Sequence, residues 1–150
     1  MQLDDLDQRI LDLLGKDGRA SHAAIGRELG MTGPAVYARV SRLEQAGLIR
    51  GYAARIDPRA TGRQLLAFIR VSTRAHAEEN TAFEAFVHEE ERVVECHDVD
   101  GEDSYILKVR CASTEDLRSL IVVIRSLPQV IRTVTSIALK SMKDPEASPQ

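Results

Sequence analysis

The chain has 150 residues, 43% of them hydrophobic and 29% charged, with a formal net charge of −3. This length allows one domain of ordinary size or two small ones. No apolar run approaches the roughly 20 residues that a membrane helix needs, and the acidic, amphipathic start MQLDDLDQRI is unlike a secretory signal. The two cysteines, Cys96 and Cys111, lack metal-type spacing and read as reduced thiols, so we expect a cytoplasmic protein with no membrane partner.

The first predicted helix covers residues 3–16. Asp4 is a plausible N-cap, and Asp7 follows three residues later, near the positive end of the helix. The inner stripe of this helix consists of apolar residues at helical spacing, namely Leu6, Ile10, Leu13 and Leu14. The helix is expected to pack across the next two and to complete a three-helix core.

Residues 21–50 predict two short helices joined by a tight turn. In the first, Ala24, Ile25 and Leu29 face inward, and Gly30 follows where the chain needs a left-handed residue. Thr32 is the expected N-cap of the second helix, with Pro34 in its first turn. Spacings of four and three place Val36, Val40 and Leu43 on the buried stripe of the second helix.

The outer face of that second helix is short, polar and basic, as a helix that enters the major groove requires. Six arginines between residues 27 and 59 stand against three carboxylates, whereas residues 61–150 hold 11 basic and 15 acidic side chains. This distribution favours a helix-turn-helix that binds double-stranded DNA. The residues expected to contact DNA are Thr32, Pro34, Tyr37, Ala38, Arg39, Ser41, Arg42, Gln45 and Arg50.

The second half alternates strands and helices in the order βαββαβ, the ferredoxin-like split unit. The predicted elements are strand 65–72, helix 78–89, strands 93–99 and 105–110, a helix that Ser113 or Thr114 caps and Pro128 ends, and strand 130–139. The first and last strands carry apolar or small residues on both faces, which predicts a partner sheet in a homo-oligomer. We therefore expect an α+β protein with a helix-turn-helix domain (1–56), a linker (57–63), a βαββαβ domain (64–142) and a flexible tail (143–150).

Four segments carry a family resemblance. LDDLDQRIL, DGRAS, GYAARIDPRATG and the pattern V-x-x-R-V-x-R-L-E-x-x-G-x-I from Val36 to Ile49 resemble the feast/famine regulators, the leucine-responsive regulatory protein and AsnC family. The resemblance implies a transcriptional regulator whose ACT-like second domain binds an amino acid or a related effector. It also implies dimers that form through the sheet and higher assembly, commonly an octamer.

The loop DGEDS, comprising Asp100, Gly101, Glu102, Asp103 and Ser104, is the candidate effector site. Glu102 or Asp103 could meet an ammonium group, and Gly101 lets a ligand approach the backbone. The feast/famine regulators that the chain resembles commonly have Gly-x-x-Asp in this loop. This chain has Ser104 at the last position of that pattern, and the carboxylate of Asp103 comes one residue earlier. The alternative is an ordinary turn, because Asp, Gly and Ser favour turns in any case.

Other chemistry has less support. Strand alternation places Glu95 and His97 on one face and Asp98 and Asp100 on the other, so no face gathers three metal ligands. Neither a catalytic constellation nor a cofactor motif is present, and we expect neither a metal nor an enzymatic activity. The alternative function is a small-molecule-sensing regulatory protein whose helical half binds a protein partner instead of DNA.

Overall fold

The computed structural model describes residues 2–74 and 81–144 and divides after Ala54 into two compact units. The helices are α1 (Asp5–Lys16), α2 (His22–Leu29), α3 (Gly33–Gln45), α4 (Thr81–Glu89) and α5 (Thr114–Ser126). The strands are β1 (Leu65–Thr73), β2 (Val93–Asp98), β3 (Tyr105–Cys111) and β4 (Val130–Ile137). Among the described residues, no helix combines the length and the apolar character that a membrane span needs.

The first unit is a three-helix bundle around a small apolar core. Its fully buried side chains are Ile10 of α1, Ile25 of α2, and Val36, Val40 and Leu43 of α3. These five residues confirm the predicted inner stripes, with Leu13, Leu14 and Leu29 packed against them in partly buried positions. The core fixes which face of α3 remains available to a ligand.

The turn between α2 and α3 has the predicted end signals and one further constraint. Gly30 adopts a φ of 68°, and the Thr32 hydroxyl accepts a hydrogen bond from the Ala35 N–H at 3.3 Å. Gly26, which the sequence pattern did not single out, lies so close to the turn that a Cβ there would be 2.5 Å from the Met31 carbonyl oxygen. Because that neighbour is backbone, a side chain at position 26 would push the two helices apart.

The second unit is a four-stranded antiparallel sheet in the order β2-β3-β1-β4, with α4 and α5 on one face. This order is that of the predicted ferredoxin-like fold. The core under the helices includes Phe83 of α4, Leu120 and Ile124 of α5, and Ile69 and Leu107 of the central strands. None of the helices in residues 2–74 and 81–144 therefore covers the other face of the sheet.

Several boundaries differ from the prediction. The last strand ends at Ile137, two residues early. Residues 57–63, the predicted linker, form consecutive turns, because backbone N–H groups of residues 60, 62 and 63 bond back to carbonyls of residues 57–59. Residues 78–80 of the predicted helix and 145–150 of the predicted tail lie outside the described residues.

The cysteines behave as expected. Cys96 pairs with Leu107 across β2 and β3, so it lies far along the ladder from Cys111, and both thiols are free. Burial raises the pKa of each thiol to about 11. Neither thiol is therefore a reactive thiolate at neutral pH.

We call the face of the sheet opposite α4 and α5 the open face. Strand alternation and register place on it Leu66, Phe68, Arg70 and Ser72 of β1, Ile106, Lys108 and Arg110 of β3, and Arg132 and Val134 of β4. One end is partly covered by the segment after β4, because Asp144 forms a 2.7 Å ion pair with Arg110 in which both side chains are 9% exposed. Asp144 is thus held, although the sequence pattern assigned it to the flexible tail.

Candidate nucleic-acid interface and effector loop

The outer face of α3 is the surface that the sequence assigned to DNA. Ala38, Arg42 and Gln45 are exposed, and Ser41 is partly buried between them. Because Val36, Val40 and Leu43 point the opposite way into the core, these four residues form the side of α3 that can face a groove. None of the four carries a bulky apolar group, so the face is narrow and polar.

Other predicted DNA-contacting residues flank this face. Thr32 and Pro34 are exposed at the start of α3, where the Thr32 hydroxyl already serves as the N-cap. Tyr37 is 60% exposed and packs edge-on against His22, with ring centroids 5.5 Å apart. Arg50 is exposed just after the bundle. The flanks thus add an aromatic group and a cation to the polar face.

Two arginines of α3 are engaged inside the first unit. Arg39 Nη1 lies 2.6 Å from Asp4 Oδ2 and 2.7 Å from Asp7 Oδ1, and Arg42 Nη2 lies 2.7 Å from Asp7 Oδ2. The Asp7 side chain is only 1% exposed, whereas Arg39 is 25% and Arg42 51% exposed. We call this arrangement the α1–α3 clamp, because it ties the start of α1 to the middle of α3.

The clamp rests on the local structure of α1. Asp4 and Asp7 form a capping box, in which the Asp7 N–H donates to Asp4 Oδ1 at 2.8 Å and the Asp4 N–H donates to Asp7 Oδ2 at 3.3 Å. Burial alone would raise the pKa of the Asp7 carboxyl, but the hydrogen bonds from Arg39 and Asp4 and the charge of Arg42 hold that pKa below its ordinary value. Asp7 is therefore ionised at neutral pH and needs its two partners.

The clamp shows which contacts Arg39 and Arg42, both assigned to DNA from the sequence, make within the first unit. The single donor nitrogen of Arg39 that makes these contacts is shared by two carboxylates, which turns the side chain toward α1. Arg42 gives one nitrogen to Asp7 and keeps the rest of its half-exposed guanidinium on the outer face. The charge counted along residues 27–59 leaves out Asp4 and Asp7, which lie outside that segment. Because both carboxylates contact arginines of α3, they reduce the net positive charge around this helix.

The candidate effector loop lies between β2 and β3. Asp100, Gly101 and Glu102 are exposed, and Gly101 has a φ of 138° with no atom within 4 Å of the position that a Cβ would take. Ser104 is turned inward: its hydroxyl accepts a hydrogen bond from the Thr73 N–H at 3.1 Å. The loop therefore has an open tip and an anchored end.

Asp103 is already paired. Its carboxylate accepts a hydrogen bond from the Ser72 hydroxyl at 3.0 Å and from Arg132 Nη2 at 3.2 Å, and Arg70 Nε lies 3.7 Å away. Asp103 is 12% exposed, whereas the two arginines are 50% and 53% exposed. Sequence reasoning offered Asp103 as a partner for an ammonium group, but it did not anticipate Arg70 and Arg132, which come from two other strands.

The carboxylate and histidine side chains of β2 make contacts with each other and with β3. Within residues 2–74 and 81–144, no group of three His, Cys, Asp or Glu side chains could hold an ion. Glu95 and His97 share a face, as alternation predicted, with His97 Nε2 and Glu95 Oε2 3.3 Å apart. Lys108 Nζ lies 3.0 Å from the other Glu95 oxygen, and together with His97 it holds the pKa of that carboxyl below its usual range.

Comparison with known proteins places both units in one family. Residues 3–44 match the AsnC-type helix-turn-helix domain, and residues 66–147 match the Lrp/AsnC ligand binding domain. The HTH-type transcriptional regulator LrpA of Mycobacterium tuberculosis is 39% identical over 139 residues, which cover 93% of this chain and 91% of LrpA.

Solved structures agree over the whole chain. A transcriptional regulator of Neisseria meningitidis in complex with L-methionine superposes with a TM-score of 0.91 at 28% identity, covering 99% of this chain and 97% of that one. The feast or famine regulatory protein of M. tuberculosis, complexed with L-methionine, gives 0.84 at 35% identity, covering 96% and 97%. Together with the polar outer face of α3, these matches show that the chain belongs to the Lrp/AsnC family of helix-turn-helix transcriptional regulators.

Proposed function

We propose that the chain regulates transcription by placing the outer face of α3 in the major groove. The observation that carries this proposal is the geometry of that face: Ala38, Ser41 and Gln45 lie opposite a buried apolar stripe, on a helix that the α1–α3 clamp holds in place. Arg42, Tyr37 and Arg50 supply flanking contacts, and Thr32 and Pro34 approach the backbone at the start of α3. In this proposal Arg39 positions α3 and makes no direct DNA contact.

We further propose that an amino acid modulates DNA binding from the β2–β3 loop, residues 100–104. Two relatives that superpose over nearly the whole chain carry L-methionine, which supports an amino acid as the effector class. A ligand changes activity only if it binds one arrangement of the protein better than another. A ligand site shared between subunits would have different affinities in the two arrangements, because assembly would complete the site and dissociation would remove part of it.

The assembly that we propose is a dimer formed through the open face, with an octamer as a further step. The open face carries Phe68, Ile106 and Val134, which none of the described helices covers, and Phe68 is 41% exposed. A second copy would bury these residues. Two α3 helices about 34–36 Å apart would then match a pseudopalindromic site on one face of the duplex.

Two finer points complete the proposal. We propose that the protein acts in the cytoplasm, since its two free thiols fit a reducing compartment. We also propose that it has no enzymatic activity. Regulation would then reside entirely in the affinity for DNA and in the assembly state.

The experiment is capture and sequencing of the genomic fragments that the full chain binds, with and without a panel of amino acids. We expect a recurrent pseudopalindromic sequence whose recovery changes with at least one amino acid. Recovery of fragments with no shared sequence would contradict sequence-specific binding. Capture of a protein partner with no DNA would instead favour the alternative in which the helical half binds protein.

A further inference from the structure

We infer that the effector is held by its carboxylate, on Arg70 and Arg132, and that Asp103 is not the acceptor for its ammonium group. This inference rests on the proposed effector function and names the chemistry of the same site. If so, every effector must carry a carboxylate, and its ammonium group contributes less to binding.

The position of the two arginines follows from the register of the sheet. Ser72 of β1 pairs with Arg132 of β4, and Arg70 lies two residues before Ser72 on the same strand face. Asp103 lies two residues before Tyr105, the residue at the start of β3 that pairs with Val71. Side chains from β1, β4 and the β2–β3 loop therefore converge at one end of the open face, next to the exposed tip of the loop.

The charges there do not balance. Arg70 and Arg132 share one carboxylate, that of Asp103, so the three side chains carry a net charge of +1. Within the described residues, no other carboxylate lies within ion-pair distance of either guanidinium. A guanidinium has five N–H donors, and the contacts to Asp103 use few of them. With about half of each side chain exposed, both arginines can accept a further anion in a bidentate geometry.

The same contacts argue against an ammonium on Asp103. Its carboxylate is 12% exposed and already has Ser72 and Arg132 as hydrogen-bond donors, with Arg70 nearby. A cation that approached it would have to pass two arginines of like charge. Asp100 and Glu102 are exposed on the loop and remain available for the ammonium of a zwitterion. A zwitterion would therefore lie with its carboxylate toward the sheet and its ammonium toward the loop tip.

The test is calorimetry of the full chain against the twenty standard L-amino acids, followed by variants with the tightest binder. Arg70→Gln and Arg132→Gln should each weaken binding by about ten- to a hundredfold, the loss expected of a charge-assisted hydrogen bond. Arg118→Gln is the matched control, because Arg118 is an exposed arginine of the same unit on the other side of the sheet, in α5. Binding to Arg118→Gln should remain that of the wild type.

The effect of Asp103→Asn on effector affinity distinguishes an ammonium bound by Asp103 from a carboxylate bound by the arginines. If Asp103 held the ammonium, the variant would lose about tenfold or more in affinity. If the arginines hold the carboxylate, removal of the competing negative charge leaves the affinity unchanged or increases it. The methyl ester of the same amino acid should not bind, whereas the acid that lacks only the amino group should retain measurable binding.

Besides a loss of affinity in Asp103→Asn, three results would overturn the inference. The first is wild-type affinity in both arginine variants, which would leave the proposed effector function intact but place the carboxylate elsewhere. The second is a loss of binding in those variants that light scattering shows to accompany dissociation of the assembly, which would mean that the arginines act through the subunit interface and not on the ligand. The third is no heat with any amino acid, which would also remove the effector part of the proposed function.

Discussion

Each unit of this protein contains one aspartate shared by two arginines, and the two arrangements differ in ways that separate a structural role from a binding role. In the α1–α3 clamp, both Asp7 oxygens meet guanidinium nitrogens at 2.7 Å, and the carboxylate is 1% exposed. At the effector loop, the corresponding distances for Asp103 are 3.2 and 3.7 Å. The clamp thus has short contacts to a buried carboxylate and leaves one of its arginines, Arg42, half exposed. The effector loop has longer contacts and leaves both of its arginines half exposed.

The difference arises from what lies beneath each carboxylate. Asp7 belongs to a capping box on a helix whose next turn contributes Ile10 to the core, so its oxygens face neighbouring helices and not water. Asp103 lies at the end of a loop, on a sheet face that is not covered by any helix in the described part of the chain. An ion pair in the first setting specifies a fold, and one in the second is exposed to competing anions.

Removal of the two aspartates should have unequal effects on stability. Asp7→Ala leaves Arg39 and Arg42 without their buried partner and should lower the free energy of unfolding of the helical unit by about 2–3 kcal/mol, reduced from the fully buried range because both arginines reach solvent. Asp103→Ala should change stability by less than about 1 kcal/mol. Urea unfolding followed by circular dichroism measures both. Asp12→Ala, an exposed aspartate of α1, is the control, and equal losses at positions 7 and 103 would contradict the contrast.

The contrast should also appear in acid. Because the folded pKa of Asp7 lies below its ordinary value, its stabilising contribution is complete well above about pH 4 and disappears as the pH falls through the lowered folded pKa. The wild-type helical unit should therefore keep this contribution from neutral pH down to about pH 5 and lose it progressively below that pH. Asp7→Asn should be less stable at neutral pH and should show a flatter dependence. The free energy of unfolding would be plotted against pH for both proteins. Parallel curves for the wild type and Asp7→Asn would contradict a lowered pKa of Asp7 in the folded state.

Sequence reasoning succeeded where a signal was local. Periodicity identified the buried stripe of α3, and end signals identified Gly30 and Thr32 at the turn. Alternation of strands and helices, together with the family resemblance, gave the ferredoxin-like sheet. In each of these predictions the residues that carry the pattern lie within one or two turns, or one strand, of each other.

It missed contacts between residues that are distant in sequence. The sequence assigned Arg39 and Arg42 to DNA from their positions on α3, and it did not predict their ion pairs with Asp4 and Asp7, which lie more than thirty residues earlier. Arg70 and Arg132 were not singled out for the same reason, since only the β1–β4 register brings them to Asp103. The close approach of Gly26 to the Met31 carbonyl could likewise be found only in three dimensions.

The central claim, that α3 reads DNA through its outer face, is tested most directly by one pair of matched variants. Gln45 on α3 and Gln8 on α1 are both exposed helical glutamines of the first unit, so Gln45→Glu and Gln8→Glu add the same charge at two places. Fluorescence anisotropy with a captured genomic fragment gives the affinity of each. We predict that Gln45→Glu binds about tenfold or more weakly than wild type, because its carboxylate would face the groove and the phosphates, and that Gln8→Glu stays within about twofold. Equal losses in the two variants, or wild-type affinity in Gln45→Glu, would contradict the account.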